Sequence, residues 1–79
     1  MTYEEAITLN PGDLIVIGDP DSRADTPSQQ KVAKLKNKIV TVLQAGAAQG
    51  TRNPLGIVKV EELDIVLWHT EIDRVVFSI

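Results

Sequence analysis

Residues 56–79 read Gly56-Ile-Val-Lys-Val-Glu-Glu-Leu-Asp-Ile-Val-Leu-Trp-His-Thr-Glu-Ile-Asp-Arg-Val-Val-Phe-Ser-Ile79, and this stretch decides the predicted fold. It is rich in β-branched and aromatic residues, which favour extended strands, and turn-forming residues interrupt it. The pattern predicts a strand, a tight turn, a second strand, one 3-10 helical turn and a last strand. The corresponding ranges are, in that order, 55–60, 61–64, 65–68, 69–73 and 74–79.

Two more strands are predicted upstream of this stretch. Pro11 presets the backbone for the second position of a type II turn, and Gly12 supplies the positive φ of the third position, so the turn leads into a strand at 14–17. Residues 38–44 form the other strand, and Asn37 before it suits a left-handed turn. Residues 3–9 are predicted to be an edge strand or an N-terminal arm.

Two segments are predicted to be loops. Residues 18–30 lack periodicity and form a long first loop. This loop ends in a short helix near 27–36, because Thr26 is a good N-cap and Pro27 suits the first helical position. Residues 45–54 carry small and polar side chains with little bulk to pack. We therefore expect these two loops to be the least ordered parts of the chain.

Composition limits the class of protein. Seventy-nine residues with 43% hydrophobic content predict a single domain over residues 1–79 with a modest core. The net charge of −3 provides no overall field to attract nucleic acid or an anionic membrane. The absence of cysteine excludes disulfides, thiolate zinc sites and thiol catalysis. Apolar runs reach only four residues and the first residues are acidic, so we expect a cytoplasmic protein without a membrane span or signal peptide.

Three fragments resemble SH3-like small β-barrels. They are Pro11-Gly-Asp-Leu-Ile-Val-Ile17, Leu35-Lys-Asn-Lys-Ile-Val-Thr-Val42 and Trp68-His-Thr-Glu-Ile-Asp-Arg-Val75. A similar Pro-Gly-Asp opening and a Gly-Lys turn occur in KOW-type barrels and in the variable chain of ferredoxin–thioredoxin reductase, with Asn37 here in place of the glycine. The resemblance covers most of the chain and implies a mainly β fold, a five-stranded antiparallel SH3-like barrel. It implies a fold and not an activity, since such barrels serve many functions.

The core of such a barrel should come from its strands and from the turn before the last strand. We expect Ile72 to fill the end of the barrel, and we expect Trp68 to be mostly buried. The other residues predicted to be buried are Val16, Val40, Val42, Val58, Val66 and Val75.

Two groups of acidic and histidine side chains are candidates for a metal or catalytic site. The aspartates at 19, 21 and 25 have a spacing that hints at a calcium loop, but the positions that need an oxygen donor, glycine and glutamate hold Arg23, Ala24 and Gln30. His69, Glu71 and Asp73 should diverge on a helical turn, which makes a poor zinc or general-base site. We expect no metal, no cofactor and no enzymatic activity.

Binding remains as the expected function. Our leading interpretation is a small accessory or protein-interaction module, with another protein as its partner. The alternative is a nucleic-acid-binding barrel, because four of the eight basic residues form one cluster that could contact phosphates. Neither interpretation involves a membrane, and the oligomeric state stays open. The candidate binding residues are Lys31, Lys34, Lys36 and Lys38 of that cluster, together with Trp68.

Overall fold

The computed structural model describes residues 1–50 and 53–79. Within these ranges the fold is mainly β, with five antiparallel strands in one sheet, two α-helices and a 3-10 turn. The elements are α1 (Tyr3–Ala6), β1 (Leu14–Ile17), α2 (Thr26–Lys34), β2 (Ile39–Gln49), β3 (Pro54–Val60), β4 (Leu67–Trp68), η1 (His69–Glu71) and β5 (Ile72–Phe77).

The sheet has the strand order β4-β3-β2-β1-β5, so β4 and β5 are its two outer strands. The long strand β2 belongs to both halves of this sheet. Residues 39–41 pair with β1, whereas residues from Val42 onward pair with β3 across a register shift. In the described part of the chain β4 and β5 do not pair, so the sheet is not closed. The barrel therefore stays a prediction.

The hydrophobic core is formed by side chains from all five strands and both α-helices. Of the predicted core residues, Val16, Val40, Val42, Val58 and Ile72 are buried, as expected. The prediction was wrong for Val66 and Val75, each 37% exposed, and Trp68 is only half-buried. Val66 precedes the two-residue strand β4, and Val75 lies on the outer strand β5, which no further described strand covers. The remaining core residues are Ala6, Leu9, Ile15, Ile17, Val32, Val60 and Leu67.

Both predicted positive-φ positions are confirmed. Gly12 has a φ of 95°, and Asn37 has a φ of 67°. The amide of Asp13 donates to the carbonyl of Asn10 over 3.0 Å and closes the turn. The Asp13 carboxylate is buried and accepts from the amides of Asn10 and Ile79, at 2.8 and 2.9 Å. This side chain therefore connects the turn before β1 to the chain segment that follows β5.

We expect Asp13 to make the stability of the fold depend on pH. The amide of Asn10, and then that of Ile79, hold the pKa of the carboxyl below its ordinary value of 3.8. Its stabilising contribution is complete above that unfolded-state value and is lost as pH falls through the lower folded-state pKa. In thermal melts, the difference in melting temperature between wild type and Asp13→Asn should be constant above about pH 5 and should shrink as pH is lowered from about 5 to about 2. An unchanged difference would contradict this role.

Two segments differ from their predictions. Residues 3–9 are predicted to be an edge strand or an N-terminal arm, but Tyr3–Ala6 is a short helix, because Thr2 and Glu5 form a reciprocal capping box. Residues 45–54 were expected to be a loop, yet β2 extends to Gln49 and β3 begins at Pro54. Small residues are weak strand formers, and backbone pairing with β3 overrides that preference here. Positions 51 and 52 of that predicted loop lie outside the described residues.

Other elements follow the predictions with shifted boundaries. The predicted helix near 27–36 spans Thr26–Lys34, with Asp25 instead of Thr26 at the N-cap. The predicted fourth strand is reduced to Leu67–Trp68, and the 3-10 turn to His69–Glu71. The last strand begins earlier than predicted, at Ile72. In the described ranges no helix is long and apolar enough to cross a membrane.

Candidate functional site

Helix α1 and turn η1 pack against strand β3 at Gly56. A Cβ atom at this glycine would lie 3.2 Å from the Cβ atoms of both Ala6 and His69, so even a methyl group would require these neighbours to shift by a few tenths of an ångström. The Gly56 amide also donates to Nδ1 of His69 over 3.1 Å. The Tyr3 ring meets the His69 ring edge-on, with centroids 6.1 Å apart. These contacts fix where the side chains of α1 and η1 project.

An open groove of about 1040 Å³ runs between these elements, and we call it the α1–η1 groove. Helix α1 lines one wall, the β4–η1 segment lines another, and Gly50 and residues 53–55 complete the described lining. The long first loop contributes Asp21 to its lining. The lining residues with the largest side chains are Tyr3, Leu55, Trp68 and His69. The groove lining therefore combines aromatic and aliphatic residues with an acidic residue.

Trp68 is held in place by a buried ion pair. The Arg23 guanidinium carbon lies 4.4 Å from the centre of the Trp68 ring. Nε and Nη2 of Arg23 donate to the two carboxylate oxygens of Glu71, and Nη2 also donates to the carbonyl of Val66. The Arg23 side chain is 8% exposed and that of Glu71 is fully buried. Arg23 thus fixes one face of Trp68 while the tryptophan also lines the groove.

The Glu71 carboxylate has further partners. It accepts from the amides of Asp21 and Trp68, at 3.1 and 2.8 Å. A buried carboxylate with this many donors is compensated for its loss of hydration. One side chain therefore ties the first loop, strand β4 and turn η1 together.

Two acidic residues, Glu4 and Asp21, line the groove. The Thr70 hydroxyl donates to Oδ2 of Asp21 over 2.7 Å, and the Ser22 amide donates to Oδ1. Both hydrogen bonds hold the pKa of Asp21 below its ordinary value, and the bond from Thr70 has the larger effect. Glu4 adds a second carboxylate to the lining. The described residues that line the groove include no lysine or arginine.

The predicted lysine cluster lies elsewhere. All four lysines are exposed, with Lys31 and Lys34 on α2 and the other two between α2 and β2. Lys31 pairs with Asp64 and Lys36 pairs with Asp19, at 3.0 and 2.6 Å. None of the four lines the groove that contains Trp68. The structure therefore does not bring the five predicted binding residues together.

The acidic candidates have structural partners. Asp19 pairs with a lysine, Asp21 accepts from Thr70, and Asp25 accepts from the Ser28 hydroxyl at the start of α2. In the second group, Glu71 is buried and His69 is half-buried in η1, while Asp73 is exposed in β5. No group of three histidine or acidic side chains among the described residues is placed to hold a metal ion.

Sequence reasoning considered Glu71 only as part of a poor zinc or general-base site, and it did not predict that Glu71 pairs with Arg23 beside the groove. They are 48 positions apart, so no local pattern connects them. The one available signal was that Arg23 is the only basic residue in the 18–30 loop. Comparisons with protein-family models, curated proteins and solved structures found no match to this chain.

Proposed function

We propose that this chain is a non-catalytic protein-interaction or accessory module that docks a segment of another protein in the α1–η1 groove. The observation that carries the proposal is the fixed pair of aromatic side chains in that groove. Tyr3 is oriented by His69 and Trp68 by Arg23. Tryptophan and tyrosine held in advance bind partners well, because little side-chain entropy is lost on association.

We also propose that the sheet belongs to an SH3-like barrel. In support, β2 is shared between two halves of the sheet, and a 3-10 turn separates β4 from β5. The fold alone does not select a function. The choice of a protein partner over nucleic acid rests on charge, because two of the four clustered lysines are paired with aspartates and the groove carries carboxylates.

Selection of random peptides of about twelve residues on the immobilised protein tests this function. We expect enriched peptides to lose about tenfold or more in affinity on Tyr3→Ala and Trp68→Ala. Leu43→Ala is the matched control, since Leu43 is an exposed apolar residue outside the groove lining. Equal binding to all variants, or no enrichment, would contradict the proposal.

A titration with mixed-sequence oligonucleotides at low salt serves as the control for the alternative function. We expect no salt-sensitive binding. Micromolar binding that weakens with salt, and that disappears when Lys31, Lys34, Lys36 and Lys38 are replaced by glutamine, would instead favour a nucleic-acid-binding module.

A further inference from the structure

We propose that the α1–η1 groove selects a partner segment with a lysine or arginine side chain next to an apolar residue; this rests on the proposed function. Two features of the groove support it. The acidic residues Glu4 and Asp21 line it together with the aromatic residues Tyr3 and Trp68. Carboxylates and aromatic faces both attract a cation, and a groove that combines them favours a cationic side chain.

The charges around the groove explain why a cationic side chain is preferred. Asp21 is ionised at neutral pH, because the ordinary pKa of an aspartate lies far below 7 and the hydrogen bonds from Thr70 and Ser22 lower the pKa of Asp21 further. Its hydrogen bonds come from Thr70 and from a backbone amide, both uncharged donors, so they leave its negative charge in place. The Arg23 charge beside Trp68 is matched by Glu71. The described groove lining therefore presents net negative charge to a ligand.

The preference for a neighbouring apolar residue comes from apolar side chains in the same groove lining. Pro54 and Leu55, at the start of β3, line the groove together with Trp68. Arg23 lies against one face of the Trp68 ring. An aliphatic side chain, or the methylene stem of a lysine or arginine, is stabilised by packing against this apolar surface. The charged head group of the lysine or arginine can then reach the carboxylates. A purely acidic segment would be repelled by the carboxylates of the groove. An uncharged polar segment would leave these carboxylates without an ionic partner.

The first test uses the peptides selected on the wild-type protein. Each lysine or arginine is replaced in turn by norleucine or citrulline, which remove the charge and keep most of the length. We expect at least one such change to weaken binding about tenfold, and affinity to fall as salt is raised. Selected peptides that contain no basic residue, or that bind equally well after replacement, would overturn the inference while the docking function stands.

The second test changes the protein and is matched for charge. Glu4→Gln with Asp21→Asn should weaken binding of the basic peptides about tenfold, whereas Glu61→Gln with Asp64→Asn, outside the groove lining, should change it less than about twofold. Equal losses would mean that only net charge matters and would overturn the inference. Thermal melts of both double variants serve as the check that they are folded.

A third probe does not depend on selected peptides. N-acetyl-arginine amide, titrated into the isotopically labelled protein, should shift the NMR signals of the Trp68 indole and of the α1 amides. The shifts should be lost in the Glu4→Gln, Asp21→Asn double variant. If no peptide is enriched, the docking function fails, and this titration alone decides whether the groove binds the cation. Shifts scattered over the whole surface, or none, would overturn the inference.

Discussion

Arg23→Ala is expected to destabilise the fold by about 3–5 kcal/mol, because it removes the partner of a buried carboxylate. Glu71 is fully buried, and Arg23 donates to both of its oxygens. A domain of this size has a net stability of the same order, so the variant should be largely unfolded at ambient temperature. Urea denaturation followed by tryptophan fluorescence and circular dichroism measures the change.

The control for this prediction is Arg74→Ala. Arg74 also pairs with an aspartate, but both of these side chains are at least half exposed, so the loss should be below about 1 kcal/mol. Adding Glu71→Gln to Arg23→Ala should restore part of the stability, because it removes the uncompensated charge. An Arg23→Ala variant as stable as Arg74→Ala would show that the buried pair does not hold the fold together.

Ile72→Ala should be the second largest change, with an expected loss of about 2–4 kcal/mol. Ile72 is 2% exposed, belongs to the core and pairs with Ile17 across β1 and β5. Truncation would leave a cavity at the point where η1 passes into β5. The midpoint of urea unfolding should fall, while the slope of the transition stays the same.

Val76→Ala in the same strand is the matched control for this truncation. Val76 is 43% exposed, so its removal loses little buried surface and should cost below about 1 kcal/mol. If the two alanine variants unfold at the same urea concentration, Ile72 does not fill the end of the core as inferred.

The sequence predicted features that depend on local chemistry. Gly12 and Asn37 were identified because few residue types adopt a positive φ, and Pro27 correctly indicated a helix start. The strands at 14–17 and 55–60 were identified from their β-branched runs. In each case the preference belongs mainly to the residue and its immediate neighbours, so one segment of sequence is enough to recognise it.

The candidate site was predicted less well. Trp68 was the only predicted binding residue that lies in the groove, and the lysines lie elsewhere. The second part of β2, residues 45–49, was missed because alanine and glycine carry no strand signal of their own, and pairing with β3 makes them extended. Such pairing depends on a partner strand and cannot be read from one segment.

By itself the sequence determined the turns, the helix start, most strands and the acidic, cysteine-free character of the chain. Only the tertiary structure decided that Arg23 meets Glu71 beneath Trp68, and that Tyr3, Asp21 and Trp68 line one groove. The physical reason is distance along the chain. Backbone preferences act within a few residues, whereas a buried ion pair and a binding groove need side chains that folding brings together from remote positions.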